Sequence, residues 1–235
     1  MARKKKNTGK VNQQFDDEVL VDIIEESDYK GNFFEDYQNY LLIGVAALLL
    51  IVGGYFAYKF LLLAPKEKEA MAEMMQAEKQ FEKDSFTLAL DNPGEGYSGF
   101  LDIIEDYSGT KAANTAKYYA GISYLNLGIF DAAIEYLKDY DEDDLLTAIP
   151  KYGALGDAYS ELEDMENAKK YYTKAVSQEA NELLTPYYLK KLGMLLRSEG
   201  SQEEANKYFE RIKNEFPKST YAQDIEKYIF PPVED

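Results

Sequence analysis

The longest run of apolar positions in the chain extends from Tyr40 to Leu63, and Lys59 is its only charged residue. Fourteen of these 24 residues are Leu, Ile, Val or Phe. Each favours membrane insertion by about 0.3 to 0.6 kcal/mol, whereas one charge costs at most roughly 3 kcal/mol. A helix of this length is about 36 Å long, enough to cross a hydrocarbon core of about 30 Å. The pattern predicts a transmembrane helix rather than a buried helix of a soluble domain, which would normally keep a polar face.

Residues 1–39 precede this span and are too few to fold alone. Residues 1–14 are polar and basic, which predicts disorder. From Phe15 to Ser27, apolar residues recur at helical spacing and alternate with Asp and Glu, so this short amphipathic segment either docks on a protein partner or forms an acidic linker. Since the apolar run begins so far into the chain and lacks a clear cleavage site, we interpret it as an uncleaved signal anchor.

The charge rule leaves the membrane orientation open. The basic residues Arg3 to Lys6 favour a cytoplasmic N-terminus, although they lie far from the span. Lys30 on one side against Lys59, Lys66 and Lys68 on the other slightly opposes that orientation.

Residues 64–235 follow the span and are enough for one folded domain. Residues 66–90 have apolar positions at helical spacing and predict one long helix, and the Gly- and Pro-containing segment 91–99 predicts a loop. Residues 99–109 predict a second helix, which with the first forms a degenerate repeat unit. Residues 221–230 predict a capping helix at the other end of the domain.

The middle of this domain contains an internal repeat. A glycine in a predicted first helix is followed twelve residues later by an alanine and four residues after that by a large residue. The pattern occurs three times, as Gly121, Ala133 and Leu137, as Gly156, Ala168 and Tyr172, and as Gly193, Ala205 and Phe209. Small residues at such positions let two helices approach closely.

The pattern resembles the tetratricopeptide repeat, a helical hairpin of about 34 residues. The resemblance implies an all-α chain, in which a single transmembrane helix precedes a helical solenoid of about three to four repeats. In this family, first-helix side chains line the inner groove. The corresponding residues here are Tyr118, Ile122, Leu125 and Asn126 in the first repeat, Asp157, Ser160 and Glu161 in the second, and Lys190, Met194 and Arg197 in the third.

Alternatives to these groove positions remain open. Tyr118 and Ile122 could instead pack against a neighbouring repeat. Lys190 and Arg197 could be ordinary solvated charges, as exposed lysines and arginines usually are.

The composition excludes several classes of function. The chain has no Cys and no His, which removes disulfides, metal sites built on these residues and imidazole base catalysis. The net charge of −17 argues against nucleic-acid binding. Carboxylates cluster in the sequence DYDEDDLL at Asp139, Asp141, Glu142, Asp143 and Asp144, but its position in an inter-repeat loop predicts a solvated acidic turn. We therefore expect a protein that is not an enzyme and carries no cofactor or metal.

The order of these elements resembles the YfgM-type ancillary subunits of the bacterial Sec translocon, and the segment GFLDIIEDYSGTKAANTAKYYAGISYLNLG is similar to the version found in Bacteroidota. The resemblance implies a non-enzymatic adaptor in the bacterial inner membrane, with a cytoplasmic N-terminus and a periplasmic repeat domain. Its implied partners are SecYEG and a membrane-anchored periplasmic chaperone of the PpiD type. The acidic segment before the span departs from the short tails of that family.

Two other functions remain open. One is an inner-membrane scaffold that organises a different cell-envelope assembly, and the other is a cytoplasm-facing receptor of reversed topology. Under any of these functions the span could also bind a partner helix, because Gly53 and Ala57 have the small-xxx-small spacing that lets helices approach within a bilayer. Ordinary anchor composition would explain the same residues.

Overall fold

The computed structural model describes residues 17–142, 145–178 and 180–229, with side chains described from residue 37 onward except at 145 and 146. The chain forms two compact units, Met1–Lys59 and Phe60–Asp235, which are described separately below. The predicted disorder of residues 1–14 lies outside the described residues.

The first unit is helical from Asp17 onward. Helix α1 covers Asp17–Ala57 and contains most of the apolar run as well as the part of the predicted amphipathic segment that is described. A π-helical segment, Tyr58–Leu63, continues the helical backbone to the end of that run. The described residues contain one helix long and apolar enough to cross a membrane, within Tyr37–Phe81. Its apolar window has a mean hydropathy of 2.3 and no buried residue, unlike the core helix of a soluble protein.

The second unit consists of helices joined by short turns, and its described residues include no strand. The helices are α2 (Ala64–Phe81), α3 (Phe86–Leu90), α4 (Phe100–Asp106), α5 (Lys111–Asn126), α6 (Phe130–Asp139), α7 (Leu145–Glu161), α8 (Met165–Val176), α9 (Leu184–Ser198) and α10 (Gln202–Glu215), followed by a 3-10 helix at Ile225–Tyr228. Three consecutive helical hairpins, α5/α6, α7/α8 and α9/α10, form most of the unit, as the sequence repeat predicts.

Two predicted helices are shorter than expected. The helix predicted over 66–90 ends at Phe81, and Asp84 takes a left-handed conformation with φ of 56°. This turn brings Phe86 at the start of α3 back against Phe81, with ring centroids 5.5 Å apart. The capping helix predicted over 221–230 is a single 3-10 turn, whose Ile225 is fully buried against the last hairpin.

The repeated glycines are contact points between the two helices of each hairpin. A Cβ atom added to Gly121 would lie 2.5 Å from Leu137, and one added to Gly156 would lie 2.4 Å from the ring of Tyr172. The third glycine, Gly193, has the same relation to Phe209, again at 2.4 Å. The large residue sixteen positions after each glycine therefore packs on the glycine of its own hairpin.

Consecutive hairpins are joined by a further contact that the repeat pattern does not contain. The ring of Tyr188 on α9 lies against Gly153 on α7, where an added Cβ would be 1.9 Å from Cζ. Tyr188 belongs to the hydrophobic cluster that includes Leu189, Leu192 and Phe209. The core thus continues from one repeat to the next, which stabilises hairpins that could not bury their apolar faces alone.

Helix α2 is attached to the first hairpin by a carboxylate. Glu67 accepts hydrogen bonds from the backbone N–H groups of Lys111 and Ala112, at 2.6 and 3.1 Å. These N–H groups belong to the first turn of α5 and have no partner within that helix. A negative charge at this position is also favoured by the helix dipole.

Candidate functional site

A groove of about 480 Å³ lies on the surface of the second and third repeats. It is lined by first-helix residues from α7 and α9, together with parts of α8 and the C-terminal turns. The lining consists of Asp157, Ser160, Glu161, Met165, Tyr172, Tyr187, Lys190, Lys191, Met194, Leu195, Ser198 and Tyr221. The volume lies within the range of small-ligand and peptide-side-chain pockets.

Helical spacing explains why these residues share one surface. On α7, Asp157, Ser160 and Glu161 are three and four positions apart, so they lie on one side of the helix. On α9, Lys190, Lys191 and Met194 have the same spacing. Since α7 and α9 are the first helices of consecutive repeats, their exposed sides meet along the groove.

Asp157 is the centre of a polar cluster on the groove floor. Its Oδ1 atom accepts hydrogen bonds from Lys191 Nζ and from the hydroxyl of Tyr172, both at 2.6 Å. The side chains of Lys191 and Asp157 are 32% and 21% exposed, so the ion pair is partly shielded from water. Burial opposes the charged form of Lys191, but its hydrogen bonds with Asp157 and Tyr187 outweigh that effect and raise its pKa. Lys191 therefore stays protonated.

Tyr172 and Tyr188 stay neutral beside this cluster, and Tyr172 donates the hydrogen bond to Asp157. Burial raises the pKa of Tyr172 far above its ordinary value, and the negative charge of Asp157 raises it further. The same two causes raise the pKa of Tyr188. Because Tyr172 packs on Gly156 with its ring and bonds Asp157 with its hydroxyl, it connects the hairpin interior to the groove.

The structure brings together the groove residues predicted in the second repeat and two of those predicted in the third. Asp157, Ser160, Glu161, Lys190 and Met194 all line the groove. Lys190 Nζ lies 5.7 and 5.2 Å from the ring centroids of Tyr221 and Tyr228, within cation–π range. Arg197 lies outside the lining and faces the Tyr228 ring at 5.9 Å.

The four residues predicted in the first repeat do not line this groove. Tyr118, Ile122 and Leu125 pack against the hydrophobic cluster between the first and second repeats. Burial and the neighbouring hydroxyls of Tyr119 and Tyr140 raise the pKa of Tyr118 to about 12. Asn126 is exposed, and its side chain donates to the backbone carbonyl of Ile122 at 2.8 Å. Tyr118, Ile122 and Leu125 therefore contribute to packing between repeats, whereas the side chain of Asn126 bonds the backbone of its own helix.

Sequence reasoning missed several groove residues, chiefly Lys191, Tyr187 and Tyr221. The family pattern assigns Lys190 to the groove but not its neighbour, and Tyr221 comes from a turn beyond the last repeat. One signal was present in the sequence: Asp157 and Lys191 have opposite charges and are separated by 34 positions, about one repeat length.

A second cluster of the same chemistry lies at the loop before α7. Glu142 accepts hydrogen bonds from Lys151 Nζ and from the hydroxyl of Tyr152, and Lys151 also donates to the carbonyl of Tyr140 at 2.5 Å. Lys151 is only 7% exposed. Burial would raise the pKa of Glu142, but the hydrogen bonds from Lys151 and Tyr152 outweigh it, so the pKa lies below its ordinary value.

The prediction of a solvated acidic turn is therefore wrong for Glu142, whereas the side chain of Asp139 is 69% exposed and Asp141 is exposed as well. Asp139 pairs with Lys117 at 2.7 Å, and the backbone of Asp141 exchanges two hydrogen bonds with the side chain of Asn114. These contacts attach the loop to α5. Asp143 and Asp144 lie outside the described residues.

The groove offers charges, hydrogen-bond donors, aromatic rings and two methionines, a combination suited to noncovalent binding of a peptide segment. Among residues 17–142, 145–178 and 180–229, no group of three or more Asp or Glu side chains is arranged to hold a metal ion. The chemistry that the site supports is recognition by contact.

Residues 154–218 match a family model described as YpiA-like, C-terminal tetratricopeptide repeats. The matched range covers the groove residues of α7 and α9 and the whole of α8 and α10. No curated protein matches the chain at a significant level. The helical hairpins, their glycine contacts and this match give the second unit the fold of a tetratricopeptide-repeat solenoid, and repeats of this fold are scaffolds for protein–protein interaction.

Proposed function

We propose that the chain is a membrane-anchored adaptor of the bacterial Sec translocon. Its repeat domain binds a PpiD-like periplasmic chaperone, and its span lies beside SecYEG, so that secreted or membrane proteins are assisted as they emerge. The span lies in the inner membrane, with the N-terminus in the cytoplasm and residues 64–235 in the periplasm.

The observation that carries this proposal is the groove formed by consecutive first helices on a chain that also has a candidate membrane span. A mixed groove, with Lys190 and Lys191 on one wall and Glu161 on the other, suits a protein segment with both charged and apolar residues. The resemblance of most of the chain from the span onward to YfgM-type subunits supports the choice of translocon and chaperone as partners.

The partner proposal is tested by co-purification. A tagged full-length chain, solubilised from native membranes in mild detergent, is expected to recover SecY and a PpiD-like protein. Recovery of neither protein would overturn the proposal. Recovery of other envelope proteins alone would instead favour the alternative scaffold, which organises a different assembly without contacting emerging chains.

Protease treatment of intact spheroplasts tests the topology. We expect the repeat domain to be digested from outside, while a tag at the N-terminus stays protected until the membrane is opened. A repeat domain that remains intact under these conditions contradicts a periplasmic location and favours a cytoplasm-facing receptor.

The role of Gly53 and Ala57 is tested within the span. Replacing both with Leu should preserve membrane insertion, because Leu is more apolar, but should block close helix approach and reduce recovery of SecY. The matched control replaces Ala47 and Gly54 with Leu, since these two residues lie about a quarter of a turn away on α1. If both double variants recover equal amounts of SecY, Gly53 and Ala57 do not form a specific helix contact and the span serves only as a membrane anchor.

A further inference from the structure

A second surface, separate from the groove, gathers three lysines around a set of tyrosines. We call it the tyrosine–lysine patch, and it consists of Lys138 on α6, Tyr152 and Tyr159 on α7, and Lys170, Tyr171 and Lys174 on α8. None of these residues lines the groove. The lysines come from α6 and α8, the second helices of consecutive repeats, whereas the groove is formed mainly by first helices.

The tyrosine rings form a platform. Tyr159 and Tyr171 are stacked, with centroids 5.4 Å apart and planes 6° from parallel, and Tyr152 stacks on Tyr171 at 6.5 Å. Tyr171 is only 9% exposed and packs in the hydrophobic cluster between the first two repeats. The platform is therefore held by the core rather than by solvent-exposed contacts.

Each lysine is positioned by this platform. Lys138 Nζ lies 5.2 Å from the Tyr159 centroid and donates to its hydroxyl at 2.6 Å. Lys174 Nζ lies 5.4 Å from the Tyr152 ring and 5.2 Å from the Tyr171 ring, and Lys170 lies 5.6 Å from Tyr171. Cation–π contacts hold the ammonium groups without neutralising their charge.

The three charges are not paired within the described part of the chain. All seven ion pairs found there involve other basic residues, so Lys138, Lys170 and Lys174 have no carboxylate oxygen within 4.0 Å. Glu135 and Glu166 lie one helical turn away on α6 and α8 and pair with none of the three. In a chain of net charge −17, these three exposed ammonium groups form no ion pair with the described carboxylates, although Glu142 accepts a hydrogen bond from the hydroxyl of Tyr152.

We propose that the tyrosine–lysine patch binds an acidic segment of a partner protein. The segment lies across the exposed sides of the second helices α6 and α8, and its Asp or Glu carboxylates accept hydrogen bonds from the three ammonium groups. An extended segment advances about 3.3 Å per residue, so successive carboxylates can meet ammonium groups that lie on two neighbouring helices. Because the rings already position the lysines, less side-chain entropy is lost on binding than at free surface lysines.

Charge complementarity favours a protein segment over a lipid surface. Residues 64–235 contain 34 Asp and Glu against 19 Lys and Arg, so a broad anionic membrane would be repelled by most of the domain. A narrow acidic segment can contact the patch alone. The same repulsion directs such a segment away from the rest of the domain and towards the patch.

The test uses the full-length chain in nanodiscs of neutral lipid and a short fluorescein-labelled poly-glutamate peptide, with binding followed by fluorescence anisotropy. We expect binding at low salt that weakens as the ionic strength rises. The variant K138E/K170E/K174E should raise the Kd at least about tenfold. The matched control K83E/K207E/K218E changes the net charge equally at exposed lysines away from the patch, and should raise the Kd less than about threefold.

A neutral variant, K138Q/K170Q/K174Q, protects the test against misfolding, because it introduces no repulsion and should still lose most of the binding. Circular dichroism verifies that each variant retains its helices. Three outcomes would overturn the proposal: no peptide binding by the unmodified chain at low salt, equal losses in the patch and control variants, or patch-dependent binding to vesicles containing phosphatidylglycerol without binding to the peptide. None of these depends on the Sec assignment.

Discussion

Two clusters in the repeat domain contain the same three groups, a lysine, a carboxylate and a tyrosine hydroxyl, in different surroundings. In the first, Glu142 is bonded by Lys151 and Tyr152 at the loop before α7. In the second, Asp157 is bonded by Lys191 and Tyr172 on the groove floor. We call them the loop cluster and the groove cluster.

The surroundings of the lysine separate their roles. Lys151 is almost fully buried and also bonds the backbone carbonyl of Tyr140, so its removal leaves acceptors that water reaches poorly. Lys191 faces an open groove, where water or a ligand can replace it. Identical chemistry therefore stabilises the fold at one position and is available for binding at the other.

The largest expected effect is on the loop cluster. Lys151→Met keeps the length of the side chain but removes its charge and its hydrogen bonds to the Glu142 carboxylate and the Tyr140 carbonyl. Since Glu142 is 29% exposed, we expect a loss of about 2 to 3 kcal/mol of unfolding free energy, below the range for fully buried pairs. Denaturant unfolding followed by circular dichroism measures it. Lys117→Met, in an exposed pair with Asp139, should cost about 1 kcal/mol or less, and equal losses would contradict the distinction.

The next effect concerns the glycine that supports the groove cluster. In Gly156→Ala, the new Cβ meets the ring of Tyr172 and should move its hydroxyl from Asp157, at a cost of about 1 to 2 kcal/mol after the gain in helix propensity. In Gly193→Ala, the new Cβ comes equally close to the ring of Phe209, so this variant should lose a similar amount of stability. Phe209 has no hydroxyl, so no hydrogen bond to the groove is disturbed. Of the two variants, Gly156→Ala should recover less partner protein in co-purification. Equal recovery would show that the Tyr172 contact is not needed for binding.

A smaller loss of stability is expected in the groove cluster itself. Lys191→Met leaves Asp157 bonded to Tyr172 and open to water, so the unfolding free energy should fall by about 1 kcal/mol or less. Recovery of the partner should nevertheless fall clearly, because the variant alters the groove wall. A variant that loses as much stability as Lys151→Met would place Lys191 among the structural residues.

The smallest effect is a dependence on pH. The pKa of Glu142 is lower in the folded state than its ordinary value of 4.5, so its contribution to stability is present above that value and is lost as the pH falls through the folded-state pKa. The difference in melting temperature between the unmodified chain and Glu142→Gln should therefore be largest near neutral pH and shrink below about pH 4.5. If this difference in melting temperature stays constant with pH, the charge of Glu142 does not contribute to the stability of the fold.

Much of the helical architecture could be predicted because it depends on patterns along single helices. The apolar run predicted the candidate span, and the spacing of Gly121, Gly156 and Gly193 predicted the three hairpins and their close contacts. The helix over 66–90 was predicted too long, because its apolar spacing continues through a turn at Asp84 that tertiary packing of Phe86 on Phe81 stabilises.

The groove was predictable only in part, for a physical reason. Burial of apolar residues follows the helical repeat and tolerates small errors in position, so the sequence alone specified the hairpins and the candidate span. Hydrogen bonds and ion pairs need atoms within about 3 Å, and the partners of Asp157 lie 15 and 34 positions away in the chain. The packing of α7 against α9 brought Lys191 to Asp157. The fold of the loop before α7 brought Glu142 to Lys151, and packing between the first two repeats placed Tyr118 against the core instead of the groove.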